Sequence, residues 1–150
     1  MKKIVFSLSL VLASFVSVIA QNEVVSGPMI AVDKEVHDYG DVTFGGDGTC
    51  EFKVTNTGTE ALNLTSCKGS CGCTVPVCDT KPIQPGESSI VTVKYDTKRP
   101  GPINKSVTIN SNAVNTPAKT VRIKGTVGPN PDAAPSGAPT KAPAGAPNNQ

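Results

Sequence analysis

The chain has 150 residues, with 14 Lys plus Arg against 12 Asp plus Glu and no Trp. Two of the basic residues, Lys2 and Lys3, fall in a predicted cleavable leader, so the mature chain carries acidic and basic residues in equal number. A neutral, mixed surface gives no electrostatic footprint for nucleic acid or for an anionic lipid surface, and neither partner is expected.

Met1-Lys2-Lys3 opens an apolar run from Ile4 to Ala20 that is broken only by Ser7, Ser9, Ser14 and Ser17. Val18 and Ala20 then place small residues at the −3 and −1 positions before Gln21. A charged start, an apolar centre and a small-residue exit predict a secretory signal peptide over residues 1–20. The competing reading is an uncleaved anchor, but the run is at the short limit of what crosses about 30 Å of hydrocarbon. No cysteine follows the run, so a lipid anchor at this site is not expected. Cleavage would leave no membrane span, and the mature protein belongs in the periplasm, at the cell surface or outside the cell.

Residues 21–28 read as a short leader to the fold. From Met29 to Val127 apolar residues recur at every second position in short runs. Cys50, Phe52 and Val54 alternate with Glu51, Lys53 and Thr55; Leu62 and Leu64 flank Asn63; Val91, Val93 and Tyr95 flank Thr92 and Lys94. Val107 and Ile109, then Val121 and Ile123, repeat the pattern. A two-residue period with one buried face is the signature of strands, and no later stretch holds a helical period. Gly45-Gly46-Asp47-Gly48, Asn56-Thr57-Gly58, Gln84-Pro85-Gly86-Glu87 and Arg99-Pro100-Gly101-Pro102 supply the turns between the runs. The prediction is an all-β, immunoglobulin-like antiparallel sandwich of two sheets and about seven strands over residues 29–127. With few aromatics, Val, Ile and Leu must carry most of its core. From Gly128 to Gln150 nearly every residue is Pro, Ala, Gly, Ser, Thr or Asn, which predicts a disordered tail over residues 128–150.

Several of these stretches, in this order, carry a resemblance. They are His37-Asp38-Tyr39-Gly40, Phe52-Lys53-Val54-Thr55-Asn56-Thr57-Gly58, Ser70-Cys71-Gly72-Cys73-Thr74 and Pro82-Ile83-Gln84-Pro85-Gly86-Glu87. Tyr95-Asp96-Thr97, Gly101 to Ser106, Ser111-Asn112 and Arg122-Ile123-Lys124-Gly125 follow. Over about Ile30 to Val127 the chain resembles the bacterial domain-of-unknown-function family 1573, common in secreted Bacteroidetes proteins. That family is similar to the immunoglobulin-like modules of the major sperm protein and Hydin type. The resemblance implies fold and export, and no reaction or catalytic residue. Cys71-Gly72-Cys73 fits the family pattern, whereas Cys50, Cys67 and Cys78 are additions to it.

Cys67, Cys71, Cys73 and Cys78 form the one constellation in the sequence able to carry chemistry. In an oxidising compartment they predict disulfides, with three pairings open to four clustered cysteines. A Cys67–Cys78 bond would close a loop of useful length. A Cys71–Cys73 bond is harder, because residues two apart on an extended strand stand about 6.6–7 Å apart, at the limit of disulfide geometry; Gly72 offers a way to bend. The same four thiolates could instead bind Cu(I) or Zn(II) as a soft-metal site, and Cys71 with Cys73 could form a redox dithiol. Cys50 is the odd cysteine, predicted to pack as a small hydrophobe or, failing that, to pair between molecules.

Other candidates resolve more simply. His37 beside Asp38 lacks a nucleophile motif to complete a triad. Asp33, Glu35, Asp38 and Asp41 lack the spacing of a calcium loop and read as a solvated strand face. Asn63-Leu64-Thr65 and Asn104-Lys105-Ser106 match glycosylation sequons that are incidental in a bacterial protein. No catalytic residues and no resident cofactor are expected. The function predicted is a non-enzymatic exported binding or structural module, its partner an unknown protein or cell-envelope component reached through edge strands or end loops, with strand addition as one mode. The alternative is a periplasmic copper- or zinc-binding or thiol-redox protein acting through Cys67, Cys71, Cys73 and Cys78.

Overall fold

The computed structural model describes residues 26–133. The predicted signal peptide and the segment 134–150 lie outside the described residues. Eight strands run in chain order: β1 Ile30–Val32, β2 Val36–Val42, β3 Thr49–Asn56, β4 Leu64–Gly69, β5 Thr74–Cys78, β6 Ser88–Tyr95, β7 Gly101–Ser111 and β8 Ala118–Val127. They form two four-stranded sheets, ordered β1-β3-β6-β5 and β2-β8-β7-β4. No helix occurs among the described residues. The all-β sandwich is as expected, with one strand more than the approximate count.

Alternation in the sequence becomes alternation of burial. Along β3, Cys50, Phe52, Val54 and Asn56 are buried while Thr49, Glu51 and Lys53 are exposed. Val91, Val93 and Tyr95 do the same on β6, and Val121, Ile123 and Val127 on β8. Phe52, Leu62, Ile109, Ile123 and five valines fill the space between the sheets, so branched aliphatic side chains carry the core.

One pairing departs from a purely antiparallel sandwich. β1 lies antiparallel to β3 in one sheet, with Ile30 opposite Asn56. The chain crosses at Asp33–Glu35 to the other sheet, where β2 runs parallel to β8, Val36 opposite Arg122 and Val42 opposite Val127. Such a sheet switch is invisible to periodicity, because β1 and β2 read as one extended run. The turn at Gln84–Glu87 forms as its Pro-Gly signal predicts, with Gly86 at φ +82° and Glu87 N–H donating to Gln84 O at 2.9 Å.

At the far end, Gly128 N–H donates to Val42 O at 2.8 Å. Pro129 and Pro131 line the same surface depression as Thr43 and Phe44.

Candidate functional site

β4 is the last strand of one sheet and β5 the last strand of the other. The chain passes between them through Ser70-Cys71-Gly72-Cys73, and all four clustered cysteines gather at this lateral corner. Cys67 on β4 faces Cys78 on β5 with Cα atoms 6.2 Å apart, and Cys71 faces Cys73 with Cα atoms 5.2 Å apart. Both separations fall within the usual range for disulfides, and the sulfurs of each pair face one another at bonding distance. The second pair is closer than an extended strand allows because residues 71–73 bend. Thr74 N–H reaches back to Cys71 O at 3.1 Å, so the turn contracts the gap before β5 begins. Among the described residues, no group of three or more His, Cys, Asp or Glu side chains converges on a point that could hold a metal ion.

The two pairs differ in what they hold. Cys67–Cys78 ties the edges of two sheets across 11 positions of sequence. In the chain-entropy account that closure is worth about 3 kcal/mol, against about 1–1.5 kcal/mol for a bridge two positions apart. The corner is also tight. A Cβ added at Gly69 would strike the Thr74 carbonyl oxygen, so only glycine lets β4 pass this close to β5. Cys67, Cys71 and Cys78 are partly buried against the core, and Cys73 is buried.

Alternation does not reveal β5, because its apolar residues face outward. Its inward residues are Thr74, Pro76 and Cys78, and its outward residues are Val75 and Val77, 55% and 63% exposed. On β6, Thr92 stands opposite Val77, and Ile90, 44% exposed, lies on the diagonal from it. Three large apolar side chains therefore share one solvent-facing patch beside the cysteine corner.

The backbone of β5 limits how a partner could use this edge. Asp96 N–H donates to Cys73 O at 2.9 Å, which sets the parity of the ladder. Alternate residues Val75 and Val77 turn their amides toward β6, and Thr74, Pro76 and Cys78 turn theirs outward. Thr74 O is covered by Gly69, and Pro76 has no N–H to offer. The outer edge of β5 is thus blunted against strand addition, while its side chains remain open.

The remaining candidates are engaged elsewhere. Cys50 is buried on β3, away from the corner pairs, and desolvation pushes its thiol up, partly opposed by the Tyr39 hydroxyl. Tyr39 donates to Gly48 O at 2.8 Å, and its own ionisation is pushed far up by burial. His37 packs edge-on against Tyr39 at 4.6 Å between ring centroids, and burial, then Lys34, holds it below the ordinary imidazole value. The Asp38 carboxylate accepts from Gly40 N–H at 2.9 Å and pairs with Lys124 at 3.2 Å. Glu35 pairs with Lys119, and Asp33 accepts from Lys53 N–H. Asp33, Glu35 and Asp38 are therefore dispersed over separate partners. Of the sequon asparagines, Asn63 starts beside β4, and Asn104 lines a depression on the outer face of the second sheet with Val36, Asp38, Arg122 and Lys124.

Asn56 is the structural residue that periodicity misjudges, because it occupies an inward position at the end of β3. It is fully buried. Its amide donates to Glu60 O at 2.7 Å and Ile83 O at 2.9 Å, while its carbonyl oxygen accepts from Gly58 N–H at 2.9 Å. The polar Asn-Thr-Gly signal correctly marks a turn there but conceals that its first side chain organises the core end.

Comparison with known proteins agrees with the geometry. A protein of unknown function from Porphyromonas gingivalis W83 superposes with a TM-score of 0.60 at 18% identity, over 69% of this chain and 48% of that one. The chain thus spans about half the length of that protein. The secreted serine protease VesC from Vibrio cholerae matches at TM-score 0.52 and 17% identity, over 66% of this chain and 23% of that one. An ASH/PapD-like domain of human CEP192 matches at TM-score 0.55 and 7% identity, over 65% of this chain and 84% of that one. At such identities the likeness is one of fold. No curated protein matches the chain. The sequence pattern of the proteins of unknown function DUF1573 matches residues 30–127, nearly the whole sandwich, and the chain belongs to that family.

Proposed function

We propose that this chain is an exported, non-enzymatic binding module that docks its partner through the apolar side-chain patch Val75, Val77 and Ile90, held rigid by the cysteine corner. The observation carrying this reading is the exposure of three large apolar side chains on adjoining strands of one face. Water-facing Val and Ile in a cluster favour contact with another apolar surface, and single scattered ones would not. Pro76 and the covered Thr74 carbonyl favour side-chain docking over strand addition at this edge. The leader over residues 1–20 and the paired cysteines support export, since disulfides persist in oxidising compartments. Among the described residues, no assembled nucleophile, base or metal cluster supports a catalytic reading.

The test is a photo-crosslinking residue placed at Val77, and separately at Thr108 on the opposite sheet, in the exporting cell. Discrete adducts from position 77, absent from position 108 and lost on Val75→Lys, are the expected result. Equal adducts from both faces, or none from position 77, would contradict it. Fractionation in the same cells reports export independently, through a mature mass beginning at Gln21.

A further inference from the structure

We infer that Cys71–Cys73 is a thiol–disulfide exchange site that accepts electrons from an external dithiol while Cys67–Cys78 holds the fold. The two bridges are arranged for different duties. One spans 11 positions and joins two sheets; the other encloses only Gly72. Opening the smaller ring releases little chain, and the strands on either side stay anchored. Ser70 N–H donates to Ser106 O at 2.8 Å, and Asp96 N–H to Cys73 O at 2.9 Å.

Access to the pair is asymmetric. Gly72 is exposed, and apart from its neighbours Cys71 and Cys73 no atom lies within 4 Å of where its side chain would be, so no other part of the fold covers the turn at Gly72. Cys71 is partly exposed, and Cys73 is 6% exposed. The sulfur attacked is therefore Cys71. Thr74 Oγ1 stands 3.6 Å from Cys71 Sγ and 3.8 Å from Cys73 Sγ, where its hydroxyl can turn toward a departing thiolate. Cys50 is buried on a core strand and takes no part.

In the exchange, one thiolate of the external dithiol attacks Cys71 Sγ. The new S–S bond forms as the Cys71–Cys73 bond breaks, and the electron pair leaves on Cys73 Sγ, which then takes a proton. The second thiol of the dithiol attacks the mixed disulfide, releasing Cys71 as a thiol and closing the dithiol into its own disulfide. The protein gains two electrons and two protons, and the dithiol loses them.

The oxidised mature protein, titrated with dithiothreitol, quenched by alkylation and mapped by peptide mass, tests this. Cys71 and Cys73 should take label at dithiol concentrations that leave Cys67–Cys78 joined and the β circular dichroism unchanged. In the selectively reduced protein, Cys71 should alkylate faster than Cys73 by at least about an order of magnitude, as accessibility requires. Loss of both bridges together, earlier loss of Cys67–Cys78, or equal alkylation of the two thiols would overturn the inference. None of these results depends on whether a partner docks at Val75 and Val77.

Discussion

Asn56 shares its inward position on β3 with Phe52 and Val54, yet it satisfies backbone groups from Gly58, Glu60 and Ile83, where the turn meets the isolated pairing of Leu62 with Ile83. Removing a side chain of this kind strands several buried polar groups, each at about 1–3 kcal/mol. Asn56→Ala should therefore lower unfolding stability by about 2–4 kcal/mol in a urea titration. A change below about 0.5 kcal/mol, as at an ordinary surface site, would contradict this role. The shifted carboxyls and the imidazole share one direction. Glu35, beside Lys119, and Asp38, accepting from Gly40 and facing Lys124, have carboxyls held below their ordinary range. Asp47 is lowered likewise by the Thr49 hydroxyl and amide. Carboxyls depressed in the fold stabilise it above their unfolded values and lose that contribution as pH falls through the folded ones. His37 is also lowered, so the unfolded chain binds its proton more readily and acid again favours unfolding. Melting temperature should fall between about pH 6.5 and pH 3, with a shallower acid limb for Lys124→Ala. A rise on acidification would refute these assignments. The effects are small because the carboxylates are exposed.

At the scale of elements, β3, β6 and β8 were legible because each buries alternate Val, Ile or Phe against a polar opposite face. β5 was not. Its inward positions hold Thr74, Pro76 and Cys78, and its apolar residues Val75 and Val77 face water, which inverts the usual pattern. The cysteines were visible as a cluster, but the pairing needed the crossing from β4 to β5, which depends on contacts far apart in sequence. The two bridges should separate in stability: Cys67→Ala with Cys78→Ala should cost about 3 kcal/mol, and Cys71→Ala with Cys73→Ala no more than about 1.5 kcal/mol. Thermal or urea unfolding of the two double variants checks the ranking, and the reverse order would contradict the division of labour at the corner.

For the whole molecule, sequence period and turn chemistry disclose a two-sheet sandwich, since each strand reports its own buried face. They do not disclose which strands adjoin. The parallel β2–β8 pair arises from a crossing at Asp33–Glu35 that leaves the local pattern unchanged. The same limit applies to Gly128–Pro131, composed like the tail but placed beside Val42 and Phe44 at its start. What unites the molecule is an aliphatic core with few aromatics, closed at one lateral corner by sulfur and offering an apolar patch beside it. The state of the sulfurs in the protein taken from its own cell is the most direct test. Denatured without reductant and alkylated, the mature chain should carry one label, on Cys50, and five after reduction. Four or five labels before reduction, with a metal ion retained in the native mass, would contradict the account.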